Sequence, residues 1–267
     1  MSYELRGRVV FITGASRGIG RACALEYHRA GCNVVAAARS ADLLNELVDE
    51  LGSDRIVHAV VDVTDARQRA EALASARERF GAIDILLNNA GWASFASVLR
   101  LPGAHLERMW GLNFAAPVAL IQEVLPEMIQ RRSGQIVNVS SVVGSQAIPR
   151  MGVYGATKAA LSSLSTALRM ELQGTGVDVL LVSPGSTATG FFEAAASVDV
   201  RAVRLAETQY SPDKVARAIV RSSRLRRREV TLSAEGKAIC AIRRVSHRLA
   251  DAIMYRVAKR SMPPLKH

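Results

Sequence analysis

An apolar run from Arg8 to Thr13 breaks into Thr-Gly-Ala-Ser-Arg-Gly-Ile-Gly, residues 13 to 20, and a helical pattern takes over from Arg21 to Ala30. A buried strand that passes through a glycine turn into a helix opens a βαβ unit, which commits the chain to a parallel sheet with crossover helices. Gly14, Gly18 and Gly20 permit the tight turn, the close approach of backbone to a pyrophosphate, and close helix packing. The helix N-terminus adds N–H donors for the phosphates. A nucleotide-binding turn made of Gly14, Ser16, Arg17, Gly18, Ile19 and Gly20 is the expectation.

Strand and helix patterns then alternate. Asn33 to Ala38 predicts a second strand, and Ser40 to Leu51 a helix capped by Ser40 or Asp42. Arg55 to Val61 predicts a third strand ending at Asp62, Ala66 to Phe80 a helix, and Ile83 to Leu87 a strand that runs into Asn88-Asn89-Ala90-Gly91. His105 to Arg131 reads as a long helix that Pro117 and Pro126 bend or divide. Gln135 to Val139 and Val177 to Ser183 read as buried strands, with a helix from Ala156 to Glu171 between them. Ser211-Pro212-Asp213 starts a helix to about Arg227, and Glu229 to Ser233 reads as a last strand. At 267 residues, 49% hydrophobic and 22% charged, the chain suits one α/β domain with an appendage.

The N-terminus shows no apolar leader, and no stretch offers the ~18 uncharged apolar residues of a membrane span, so a cytoplasmic protein is expected. Cys23, Cys32 and Cys240 are odd in number and form no Cys-x-x-Cys pair, which speaks for reduced thiols rather than a disulfide framework or a zinc site. The net charge of +11 is unevenly distributed. Residues 201 to 267 hold seventeen Lys and Arg against five Asp and Glu, whereas residues 1 to 200 hold eighteen against nineteen. A near-neutral body thus carries a basic tail, and whole-chain charge says little about the substrate.

Chemistry concentrates between Ser141 and Lys158. Tyr154 and Lys158 stand four apart in a helical stretch, so both project from one face. An ammonium beside a phenol favours phenolate, which draws the tyrosine pKa down from about 10 toward the range where it exchanges protons with a substrate. Ser141 follows a buried strand, where a hydroxyl at the carboxyl end can hydrogen-bond a substrate oxygen. A second signal stands at the end of the second strand. A carboxylate for the ribose 2′-hydroxyl of NAD is expected there, yet the residues are Ala37-Ala38-Arg39. Arg39, with Arg17 nearby, offers a donor fork to a 2′-phosphate, so NADP(H) is expected to be preferred over NAD(H).

Thr13 to Gly20, Asp62-Val63, Asn88-Asn89-Ala90-Gly91, Asn113, Ser141, Tyr154-Gly-Ala-Thr-Lys158 and Pro184-Gly185, in this order and spacing, together resemble the short-chain dehydrogenase/reductase family. The resemblance spans roughly residues 5 to 233. It implies a single doubly wound, Rossmann-like domain over residues 1 to 233, with a seven-stranded parallel sheet, a nicotinamide cofactor, and hydride transfer between an alcohol and a carbonyl. By the same resemblance Tyr154 is the acid in reduction and the base in oxidation, and Lys158 binds the nicotinamide ribose and lowers the tyrosine pKa. Ser141, thirteen residues before the tyrosine and so preferred to Ser140, orients the carbonyl oxygen, and Asn113 holds a water in a proton relay. Asp62 and Val63 correspond to adenine contacts, Asn89, Ala90 and Gly91 to the cofactor lining, and Pro184, Gly185, Thr187 and Thr189 to the loop at the nicotinamide end. No metal is implied. A homodimer or homotetramer is, and Ala159, Leu161, Leu164, Leu168 and Leu172 offer more apolar positions than one sheet face needs.

The functional expectation is an NADP-dependent oxidoreductase acting on a small-molecule ketone, aldehyde or secondary alcohol. Its alternative is a non-catalytic NADP-binding scaffold or sensor that its basic tail tethers to an anionic surface. Trp92, Phe95, Val143, Ile148, Met151, Phe191, Phe192 and Tyr210 lie in loops expected to border the site, which favours a lipophilic substrate. Residues 234 to 267 form a basic helical extension. A helix from about Ala238 to Arg260 places Ile239, Ile242, Val245, Leu249, Ile253 and Val257 on one stripe amid Arg243, Arg244, His247, Arg248, Arg256, Lys259 and Arg260. Such a helix either lies in the interface of an anionic membrane, placing the protein peripherally on its inner face, or packs on its own body or a second subunit. Nucleic acid is disfavoured, since aromatic stacking platforms are not interleaved with the basic residues.

Overall fold

The computed structural model describes residues 3–52, 54–198 and 210–259, with the Phe192 and Glu193 side chains left aside. Strand β1 (Val9–Thr13) is buried at every position, as an unbroken apolar run must be when helices cover both faces of a sheet. It is followed by α1 (Gly18–Arg29), β2 (Asn33–Ala38), α2 (Ala41–Leu51), β3 (Ile56–Val60), α3 (Ala66–Phe80), β4 (Ile85–Asn88), a short β5 (Ser94–Phe95), α4 (Gly103–Trp110) and α5 (Ala116–Gln130). The second half carries β6 (Gly134–Val139), α6 (Val142–Ser145), α7 (Gly152–Glu171), β7 (Val177–Ser183), α8 (Phe191–Ala194), β8 (Ala196–Ser197), α9 (Pro212–Arg224), β9 (Glu229–Thr231), α10 (Ala234–Val245) and α11 (His247–Lys259).

Seven strands form one parallel sheet in the order β3-β2-β1-β4-β6-β7-β9, and β5 pairs with β8 beside it. Alternate side chains point to opposite faces. Val10 and Ile12 meet Tyr27 of α1, Leu44 of α2 and Ile219 of α9, whereas Val9 and Phe11 meet Leu73 of α3, Leu120 of α5 and Leu168 of α7. Each such buried side chain contributes about 1.5–3 kcal/mol. The order reverses between β1 and β4, and this reversal opens the crevice where an α/β sheet binds its ligand.

The long helix is divided before its first proline rather than at it. Gly111–Ala115 forms a π-helical segment between α4 and α5, with the Ala116 N–H bonded five residues back to the Gly111 carbonyl. Pro117 has no N–H to return to the carbonyl of Asn113, which loosens the ladder at that point. The whole run Gly103–Gln130 is long and apolar enough to cross a membrane by length and composition, which the sequence reading did not anticipate. Its inner ridge, Met109, Leu120, Val124 and Met128, is buried, as in the core helix of a soluble fold.

The tail departs from the single helix expected over residues 238 to 260. Ser246 is extended (φ −151°, ψ 109°), ending α10, and its hydroxyl accepts the Leu249 N–H at 3.2 Å to open α11. Serine competes with helix by such local bonds, so it caps where a stripe of periodic apolar residues alone predicts continuity. Ser233 starts α10 in the same way, accepting the Gly236 N–H at 2.9 Å. Arg260 lies outside the described residues.

Candidate active site

The crevice is built first from β1 and β4. The Thr13 hydroxyl accepts the backbone N–H groups of Asn89 (2.9 Å) and Ala90 (3.0 Å) and donates to the Leu87 carbonyl (3.2 Å), while the Asn89 amide donates to the Thr13 carbonyl at 2.9 Å. These bonds lock the glycine turn against the loop after β4. Gly14 and Gly18 have positive φ, and a Cβ on Gly20 would stand 2.2 Å from the Gly14 carbonyl oxygen, so no larger residue fits there.

A cleft of about 440 Å³ runs from this turn to Ala194. Eighteen of the expected positions border it, among them Gly14, Ser16, Arg17, Gly18 and Ile19 of the turn; Arg39, Asp62 and Val63; Asn89, Ala90 and Gly91; Ser141, Tyr154 and Lys158; and Pro184 and Gly185. Thr187 and Thr189 border it as well. Gly20 and Asn113 do not line the cleft; both act from behind it. The Asn113 side chain is fully buried, accepting from the Trp92 N–H (2.9 Å) and donating to the Trp92 carbonyl (2.9 Å) and the Thr157 hydroxyl (3.1 Å). Its amide therefore ties the β4 loop to α7, and any water relay through this residue must use the backbone carbonyl that Pro117 cannot serve.

Ser141 caps α6, accepting the Val143 N–H at 3.2 Å, and its hydroxyl also hydrogen-bonds the Tyr154 phenol. Ser140 is turned the other way, its hydroxyl 2.8 Å from both the Lys158 carbonyl and the Ser162 hydroxyl. Burial pushes the Tyr154 phenol up to about 12, with the Ser141 bond opposing it. Burial also lowers Lys158 to about 8, and its ammonium donates to the Val139 carbonyl at 2.9 Å. The expectation that Lys158 pulls the tyrosine pKa down is thus not met in this arrangement: the ammonium faces β6, and burial of the ring dominates.

At the other end Arg39 sits 3.9 Å from Asp62, the arginine well solvated. Burial opposes ionisation of Asp62, but two bonds from Thr64 together with Arg39 and Arg108 hold its pKa below the ordinary value. No carboxylate ends β2, yet one from the end of β3 reaches the same arginine.

Of the apolar loop residues, Phe95, Val143, Ile148 and Met151 form a buried cluster with Tyr154, against which Trp92 and Phe191 pack. Tyr210 belongs elsewhere: it packs on the α1 and α9 side, and its hydroxyl accepts the Ala234 N–H at 3.4 Å. The Phe192 side chain is outside the described structure. Sequence reasoning missed Leu112 in the cleft wall, Met254 of α11 against the Tyr154 cluster, and the Thr13 hydroxyl. Nothing in their residue type marks the first two, whereas a threonine before a glycine turn was a usable signal.

The profile of the short chain dehydrogenase family matches residues 8–198. This chain belongs to that family. Among its relatives, dehydrogenase/reductase SDR family member 7B of Bos taurus is 35% identical over 193 residues, which is 69% of this chain and 59% of the bovine protein. The match thus spans less than two thirds of that relative. A short-chain dehydrogenase/reductase from Burkholderia phymatum, solved with NAD, superposes with a TM-score of 0.85 at 26% identity, covering 92% of this chain and 96% of the other. A serine dehydrogenase in its closed form with NADP+ gives 0.76 at 34% identity over 84% of this chain and 93% of the other.

Proposed function

We propose that the protein is an NADP-dependent oxidoreductase that interconverts a lipophilic carbonyl compound and its secondary alcohol. The observation that carries this reading is that Ser141, Tyr154 and Lys158 line one cleft together with the glycine turn. Two O–H groups converge there, and a substrate oxygen placed between them accepts from both. A bound nicotinamide supplies the hydride in such a family. The cradle fits a dinucleotide: the glycine turn lets backbone approach a pyrophosphate, and Gly91 lies where a Cβ would stand 3.5 Å from the Lys158 ammonium.

Tyr154 stays protonated at neutral pH, since burial raises it, and so gives its proton to the carbonyl oxygen in reduction. Ser141 fixes the direction from which that oxygen is approached, and Lys158 holds a ribose hydroxyl at the cleft floor. Arg17 and Arg39 stand at the adenosine end, and the preference for NADP(H) rests on Arg39 exchanging its long contact with Asp62 for a bidentate bond to a 2′-phosphate. The buried apolar cluster around Tyr154 supports a lipophilic substrate. The protein acts on the cytoplasmic side, residues 1 to 233 forming the catalytic unit and residues 234 to 267 a basic extension.

The test is a spectrophotometric panel of carbonyls graded in apolar size, run with both nicotinamides. Tyr154→Phe should lose turnover by about a thousandfold while keeping its fold and cofactor affinity. Arg39→Ala should lose about tenfold or more of its preference for NADP(H). Wild-type turnover in Tyr154→Phe removes the catalytic assignment, equal affinities for both cofactors remove the NADP reading, and best activity on small charged keto acids removes the lipophilic one.

A further inference from the structure

Helix α11 meets the body through one row of side chains, and the described residues cover the adjacent apolar row only in part. The inner row is Ala250, Met254 and Ala258: the two alanines are 0% and 2% exposed, and Met254 packs on the cluster around Tyr154. Asp251 of α11 accepts from Gln146 at 3.3 Å, and Arg243 of α10 donates to the Ser145 carbonyl at 2.5 Å, which ties both helices to the body. The neighbouring row, Leu249, Ile253 and Val257, has the same spacing of four and is equally continuous. Leu249 remains 53% and Val257 38% exposed on either side of a half-buried Ile253, and Val245 at the end of α10 is 90% exposed. Docking on the body therefore accounts for the first row and leaves both ends of the second in solvent. Exposed Arg248 and Arg256 flank it on the side away from the body, with exposed Arg244 at the end of α10.

We propose that the Leu249–Ile253–Val257 row is the face by which the protein docks on an anionic lipid bilayer. Aliphatic side chains flanked by cations match acyl chains beneath acidic headgroups, and each cation adds to the attraction. A second copy of this chain fits worse, because a two-fold contact would set Arg248 and Arg256 against themselves. A nucleic acid would engage the cations and leave the aliphatic row in water. The inner row of the same helix faces the Tyr154 cluster, so docking would bring that cluster within one helix diameter, about 10 Å, of the lipid. That last consequence rests on the lipophilic-substrate reading; the docking itself does not.

Flotation of the full chain with vesicles of phosphatidylcholine, with and without phosphatidylglycerol, tests this without reference to turnover. Binding is expected only to the anionic vesicles and should weaken with salt. Leu249→Glu with Val257→Glu, and separately Arg248→Glu with Arg256→Glu, should each weaken it by about tenfold or more, with melting temperature unchanged. The proposal is overturned if the wild type stays in the unbound fraction at low salt, or if only the arginine changes matter. It is equally overturned if a DNA duplex binds in place of vesicles, or if the glutamate pair splits an oligomer.

Discussion

At the scale of single residues, burial of the Lys158 ammonium, which lowers its pKa from 10.5 to about 8, has a consequence that is read in unfolding. Between those two values the unfolded chain holds a proton that the folded chain has released, so stability rises with pH across that window. Below about pH 8 the cost is present in full; near pH 10.5 it is gone. Denaturant melts of wild type and Lys158→Met at pH 7.5 and pH 10 should therefore diverge, the wild type gaining up to about 3 kcal/mol relative to the variant. Parallel pH dependence in the two proteins would refute the buried charge. That Tyr154 and Lys158 share one helix face was legible from their spacing of four, whereas the choice of Ser141 over Ser140 came from the family resemblance. The direction of the tyrosine shift was not legible, because it depends on Phe191 and the other side chains that pack around the ring from distant segments.

At the scale of elements, the π-helical turn is what allows Asn113 to face Trp92 and Thr157 at once. Asn113→Leu keeps the volume and strands three polar partners, at about 1–3 kcal/mol for each group left unsatisfied. A fall in melting temperature of several degrees is expected, together with weaker cofactor binding, since the loop after β4 loses its tie to α7. An unchanged melt would show that the asparagine holds nothing. Sequence periodicity found every strand of the main sheet and most helices, since amphipathic patterns and glycine or proline punctuation mark them. It missed the π segment and the break at Ser246, because both are made by single hydrogen bonds that interrupt a pattern without altering it.

At the scale of the whole molecule, the leucines Leu161, Leu168 and Leu172 that suggested an oligomer are buried on the chain's own sheet. We propose a dimer, for which exposed apolar residues remain available: Trp110, Ile129 and Met170 of α4, α5 and α7 are exposed by 37%, 40% and 61%, with Phe114 edge-on to Trp110. Sedimentation at micromolar concentration should give a dimer that Ile129→Glu with Met170→Glu weakens; a monomeric wild type would contradict it. The sheet itself sets an order of assembly. Val10 pairs with Val34 on one side and Ile85 on the other, and β7 meets β9 through Leu181–Ser183 against Glu229–Thr231. Every rung joins segments far apart in the chain, so loop-closure entropy must be met before any pairing is rewarded, and such sheets form slowly. During synthesis β1, emerging first, lies with one side unpaired until β4 has been made. For that interval its Val-Val-Phe-Ile run is open to pairing with other nascent chains.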